Sequence, residues 1–231
     1  MKLKVLSTSG LAVALLGLAT VANAEISSTI ALTNDYDFRG VSQSARDPAL
    51  QASVDYIDNK SGLYAGVWGS NVDFGDDTDL QLNLYTGFTG KTEVGLGWNA
   101  GFVFRTYDEH RHDYPEIFTG FDYSYFKARL SYANDYLGRY IPGHTSAFNL
   151  AVDAAVPVPV PDLSLLAHVG HTAANNGFDD YTDYFVGVGY KVQKFDLALK
   201  YVDTDANPHT RSDVFNNEGR LVFSVATKLP W

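Results

Sequence analysis

Cysteine is absent from all 231 residues, which excludes disulfide scaffolds, thiolate zinc sites, cysteine nucleophiles and a lipoprotein anchor. Basic residues are scarce, with 17 Lys and Arg against 27 Asp and Glu and a formal net charge of −10. So acidic a chain neutralises phosphates poorly, and nucleic acid is excluded as a partner. Long apolar runs are missing beyond residue 24, where nothing approaches the roughly 20 apolar residues of a spanning helix. Amphipathic helices are missing too: glycines interrupt many segments, and the alternating Val and Pro of Val156 to Pro161 forbid a helix there. What the chain does have is aromatic residues, 15 Tyr, 14 Phe and 3 Trp, within a hydrophobic content of 45%. That is too much apolar surface for a disordered chain.

Residues 1–24 read as a cleaved secretory signal peptide. Lys2 and Lys4 form a short basic head, Gly10 to Val21 is apolar, and Ala22-Asn23-Ala24 supplies the small-residue cleavage pattern. The mature chain is then expected to be residues 25–231, a single domain that starts at Glu25.

Alternation dominates that domain. From Ile26 to Phe38 the even positions carry Ile26, Ile30, Leu32, Tyr36 and Phe38, and the odd ones carry Ser27, Thr29, Thr33, Asp35 and Asp37. A period of two marks a strand with one apolar and one polar face. Eleven further segments repeat it, among them Tyr64/Trp68/Val72/Phe74, Leu80/Leu82/Leu84/Phe88 and Tyr184/Val186/Val188/Tyr190. The links between these twelve strands alternate in length. Short ones fall near 59–62, 90–93, 124–125, the proline run and 191–194; long ones span 39–48, 75–79, 108–115, 134–145, 172–180 and 203–217. Tight turns at one end and longer loops at the other, with an even strand count, describe a transmembrane antiparallel up-and-down β-barrel. Both termini then lie on the short-turn, periplasmic side of a bacterial outer membrane.

A soluble barrel or sandwich also alternates, but it turns its apolar face inward. Twelve strands are too many for side chains to fill, and the polar face here is rich in Gly, Ala, Ser, Asn and Asp rather than Lys and Glu. Aromatics also gather near strand ends, at Tyr36, Phe38, Phe74, Phe88, Tyr132, Tyr190, Phe195, Tyr201 and Trp231, as interfacial girdles would. The final alternation, Leu221, Phe223, Val225, Leu229 and Trp231, resembles the C-terminal strand that the barrel-assembly machinery reads. Pro230 departs from that pattern because it lacks a ladder donor.

The stretch Ala31-Leu-Thr-Asn-Asp-Tyr-Asp-Phe-Arg-Gly-Val-Ser-Gln-Ser44 resembles the opening of the TorF-type porins, also called the Gcw-chp family of outer-membrane proteins. The likeness continues through Asp47 to Tyr56 and Gly62 to Phe74. It implies an outer-membrane location and a porin role, and it brings no catalytic residues.

If the apolar face meets lipid, the opposite face lines a lumen. Its charges are Arg105, Lys127, Arg129, Lys200 and Arg220 against Asp55, Asp122, Asp153, Asp183 and Asp196. Opposed rows of charge tune which solute passes; because these ten cancel, any selectivity should be mild. The alternative is a lumen cross-braced by ion pairs and closed, as a structural or adhesin-type barrel would have. No loop is long enough, on this reading, to fold inward as a constriction.

Other clusters carry less. His110 and His112 are two apart and would face one way on an extended segment, as a metal pair does, but no third ligand is evident and no metal is expected. His144-Thr-Ser146 has the spacing of a lipid-hydrolysing barrel's pair, without an orienting group. The expectation is therefore a non-enzymatic channel with no cofactor, passing small hydrophilic solutes. Its surroundings would be outer-membrane lipid and lipopolysaccharide, with which the acidic loops could share divalent cations.

Overall fold

The computed structural model describes residues 24–140, 144–176, 178–206 and 217–230. Residues 1–23, which hold nearly all of the expected signal peptide, and Trp231, the terminal aromatic, lie outside the described residues.

Twelve strands close on themselves as an antiparallel barrel. In chain order the strands are β1 (Ala24–Thr33), a two-residue pair β2 (Asp37–Phe38) and β3 (Val41–Ser42), then β4 (Ala49–Asp58), β5 (Leu63–Asn71), β6 (Leu80–Lys91), β7 (Gly97–Tyr107) and β8 (Tyr114–Tyr123). The rest are β9 (Phe126–Ala133), β10 (Ala147–Pro157), β11 (Leu163–Ala174), β12 (Tyr181–Val192), β13 (Phe195–Thr204) and β14 (Arg220–Pro230). Each barrel strand pairs with its neighbours in sequence, β2 and β3 pair only with each other, and β1 closes the sheet on β14, from Ser27 opposite Pro230 to Thr33 opposite Ser224. Closure leaves no unpaired edge. The start of β1 and the end of β14 both lie at the short-turn end.

The outward side chains are apolar. Leu50, Leu84, Ile117, Leu150, Val186 and Leu221 are all exposed, which is an unfavourable surface in water and a favourable one against hydrocarbon. Aromatics sit near both ends of this surface, with Trp98, Phe121 and Phe126 toward the short turns and Tyr132, Phe148 and Tyr184 toward the long loops. Arg at Val186 should therefore cost about 2–4 kcal/mol if that position sits at a bilayer midplane. Urea titration of the barrel refolded into phospholipid measures this; a loss below about 0.5 kcal/mol would place Val186 away from lipid.

Three expectations are corrected. First, β1 stops at Thr33, not Phe38. Asp35 takes hydrogen bonds from the Ser42 and Ser44 hydroxyls, and Tyr36 tilts against Trp68 at 5.3 Å. Tyr36 and Phe74 are buried in one apolar cluster with Phe38 packed against it, so these three belong to no girdle. Secondly, β5 has the opposite parity. Ser53 pairs with Trp68 and Val54 with Val67, so Leu63 and Val67 face outward while Tyr64 and Trp68 face inward. A ring of Trp size satisfies the apolar period equally well on either face, and only the register with β4 decides it. Thirdly, the segment between β1 and β4 folds into the lumen, and it is long enough to constrict it.

Candidate functional site

The lumen is packed at one end and open at the other. Along β8 the inward residues run from Tyr114 and Glu116, fully buried, to Asp122, exposed. On β10 they run from buried Ala147 and Asn149 to exposed Ala155, and on β12 from buried Tyr181 and Asp183 to exposed Lys191. Burial thus rises toward the long loops on these three strands. What fills that end is residues 34–48, supported by a second apolar cluster of Tyr114, Ala133, Tyr136, Leu137 and Ala147.

The folded-in segment spans the lumen by touching several walls. Arg39 reaches Glu116 on β8 at 2.6 Å. The carbonyl of Gly40 accepts a hydrogen bond from Arg220 Nη1 on β14 at 2.9 Å, and the Gly40 Cα lies so close to β12 and β13 that a Cβ would sit 2.7 Å from Asp183 Cβ and 2.6 Å from Thr204 Cβ. With φ at +79°, only glycine suits that place. On another side, the amide of Asp73 donates to the carbonyl of Gln43 at 2.9 Å.

Three charge clusters organise the constriction. In the first, Glu116 Oε2 takes Arg39, Oε1 takes Arg105 at 3.3 Å, and Arg129 stands 3.7 Å from the same Oε1. The Arg39 and Arg105 guanidinium groups both lie against the Phe38 ring, 4.8 and 4.6 Å from its centroid, while Arg129 lies 3.6 Å over Phe118. Cations on ring faces are attracted by the ring quadrupole. In the second, Arg220 joins Asp35 through Nε and Asp37 through Nη2. Burial raises the Asp37 carboxyl to about 6, against the lowering effect of Arg220 and with help from Asp183 and Asp35. In the third, His168 bridges Asp153 at 2.8 Å and Asp183 at 2.9 Å, stacked on Phe185 at 5.0 Å, with Lys200 over the same ring at 4.4 Å.

All ten charges expected in the lumen stand on the inward parity of their strands, but not as two opposed rows. Arg105, Arg129 and Arg220 are tied to Glu116 or to the folded-in segment, and Asp153 and Asp183 to His168. Nearer the short turns, Asp196 pairs with Lys191 at 3.6 Å, Asp122 is the register partner of Lys127, and Asp55 accepts bonds from Tyr85 and Ser53. Asn71, on the same parity of β5 as Leu63 and Val67, points outward beside Leu80. Sequence reasoning missed Glu116, although it lies on the polar parity set by Ile117 and Phe121. It also missed Arg39, Asp35 and Asp37, whose inward role depends on the whole segment turning in.

The two histidines of the 108–113 loop part company. His110, at φ +55°, is exposed and pairs with Asp113, whereas His112 is buried edge-on against Phe74 and Tyr107. They do not face one way, and no group of three metal-ligating side chains occurs among the described residues. His144 is turned to Asp135 at 3.1 Å.

Below the constriction two cavities continue toward the short-turn end. One of about 500 Å³ is bounded by Trp68, Asn99, Arg105 and Arg129; the next, of about 570 Å³, shares Tyr64 and Tyr85 with it and reaches Glu25 and Lys228.

The chain is thus a closed twelve-stranded antiparallel barrel with a polar, charged interior, an apolar exterior and an inward-folded segment. A family model described as a bacterial protein of unknown function, Gcw_chp, matches residues 19–228, and the chain belongs to that family. Among solved structures it is similar to the KdgM porin, at 8% identity and a TM-score of 0.54, covering 90% of this chain and 99% of that one. It is likewise similar to the NanC porin, at 7% identity and a TM-score of 0.55, covering 88% and 99%. At such identities the likeness concerns the fold. A search of curated proteins found no match.

Proposed function

We propose that this protein is a TorF-type outer-membrane porin through which small hydrophilic solutes diffuse passively. The observation that carries the reading is the polar lumen, narrowed by residues 34–48 inside a barrel whose outer face is apolar. On this reading residues 1–24 are removed on export, and both termini of the mature chain lie on the periplasmic side. The last strand engages the assembly machinery, and lipid and lipopolysaccharide surround the wall. The ten inward charges line the passage. The reading needs neither a cofactor nor a catalytic group.

Single-channel recording in planar bilayers under a salt gradient tests it. The wild type should give discrete conductance steps, with the acidic loops concentrating cations at the mouth. Lys127→Ala combined with Arg129→Gln should move the reversal potential further toward cations, an effect that weakens as salt shortens the screening length to about 8–10 Å and below. A second reading, a closed structural barrel, is favoured by the packing of Tyr114, Tyr136 and Ala147 at the loop end. Correct insertion without conductance steps would leave that reading standing and overturn the porin.

A further inference from the structure

The cavity of about 500 Å³ lies directly beneath the constriction, and the chemistry of its walls is specific. Three guanidinium groups, from Arg39, Arg105 and Arg129, surround the single carboxylate of Glu116. That carboxylate is divided unequally. Arg39 and Arg105 take one oxygen each, and Arg129 keeps only the long 3.7 Å contact. Arg129 has no carboxylate at hydrogen-bond distance among the described residues, and its side chain is 42% exposed at the cavity wall. Arg105, 8% exposed, lines the same cavity, and its Nε has no hydrogen-bond partner among the described residues. A buried guanidinium N–H left unpaired is costly, so the Arg105 group is held there under-satisfied. Asp55, which lines the next cavity, is already capped by the Tyr85 hydroxyl and by Ser53.

The rest of the lining suits a ring. Tyr64 and Trp68 place aromatic groups at the cavity, and Asn83 and Asn99 add amides that can both donate and accept. Gly66 leaves the space that the Tyr85 ring occupies: a Cβ there would lie 2.5 Å from the ring, so this wall admits no side chain without displacing Tyr85. The volume falls in the range of sites for small molecules.

We propose that this cavity is a binding site for a small hydroxylated ring bearing a carboxylate, a sugar acid by chemical class. The planar fork of Arg129 receives the carboxylate, Arg105 adds a second donor, and the amides and aromatic rings hold the ring. The inference rests on the porin reading only for how the solute arrives, not for whether it binds.

Titration calorimetry on the folded, detergent-solubilised barrel at low salt tests it, with glucuronate as the probe and glucose as its neutral counterpart. Glucuronate should bind at least about tenfold more tightly than glucose, the size of one charge-assisted hydrogen bond pair. Arg129→Gln should abolish that preference. Arg129→Lys, which keeps the charge but loses the fork, should lose part of it. Lys60→Gln, in the β4–β5 turn, should match the wild type. Heat-modifiable migration in gels confirms that each variant is folded. Equal binding of acid and neutral sugar, or glucuronate binding unchanged in Arg129→Gln, overturns the proposal even if the channel conducts. Arg129-dependent glucuronate binding by a barrel that shows no conductance would sustain the site while the porin reading fails.

Discussion

Replacing Glu116 by Gln should lower the stability of the barrel by about 3–5 kcal/mol, the usual cost of removing one partner from a buried ionic cluster. The reason is the imbalance it creates. Glu116 is 1% exposed and is the only carboxylate in contact with Arg39, Arg105 and Arg129 among the described residues. Without it, Arg39 and Arg105 stay largely buried and mutually repulsive, and the limited access of water compensates little. Urea titration of the protein folded into phospholipid should show the midpoint falling with an unchanged slope. Adding Arg39→Gln to Glu116→Gln should recover part of the loss, because it removes one uncompensated charge along with its tether. A change below about 1 kcal/mol for Glu116→Gln would mean that the cluster is hydrated and not a brace.

Gly40→Val should have the largest effect on the passage itself. Its φ of +79° is a region that β-branched residues avoid, and the new Cβ would meet Thr204 and Asp183 well inside contact distance. The tip of the 34–48 segment cannot then seat against β12 and β13, and the narrowest section of the lumen widens. Single-channel conductance should rise several-fold, with the barrel still folded, since all twelve wall strands keep their ladders. Unchanged conductance would show that some other element limits the flow. Seating also has a pH dependence. The Asp37 carboxyl, raised to about 6 by burial, is favoured in its protonated form when the segment is seated. Its contribution to seating is therefore fully present below the ordinary carboxylate range and is lost as pH rises through about 6.

Much of this architecture is legible in the residues, because a barrel wall must alternate and its turns must be short at one end. The period of two in Leu80 to Phe88 or Tyr184 to Tyr190 leaves one choice of face, and the link lengths leave one choice of topology. Legibility fails where both faces carry large apolar groups. On β5, Leu63 and Val67 compete with Tyr64 and Trp68, and the winner is settled by pairing with Ser53 and Val54 across the ladder, a contact no local pattern contains. It fails again at Thr33, where Tyr36 and Phe38 continue the strand's parity while the chain is already turning inward under the pull of Asp35 on Ser42 and Ser44. The candidate site shows the same division. Arg105 and Arg129 follow from strand parity, but their meeting with Arg39 and Glu116 depends on a tertiary fold of the intervening segment.

The join between the first and last strands is more than a ladder. Asn34 donates from Nδ2 to the carbonyl of Leu221 at 3.1 Å and accepts from the amide of Phe223 at 2.6 Å, while Thr33 donates to the carbonyl of Phe223 at 3.1 Å. Immediately beyond, Asp35 and Asp37 grip Arg220, the first residue of β14. The elements that narrow the lumen are thus the same ones that clasp the seam, and they join residues about 185 positions apart. Seating of residues 34–48 and closure of the seam therefore share contacts, and each stabilises the other. A barrel not yet closed would lack these contacts to Arg220 together with the β1–β14 ladder.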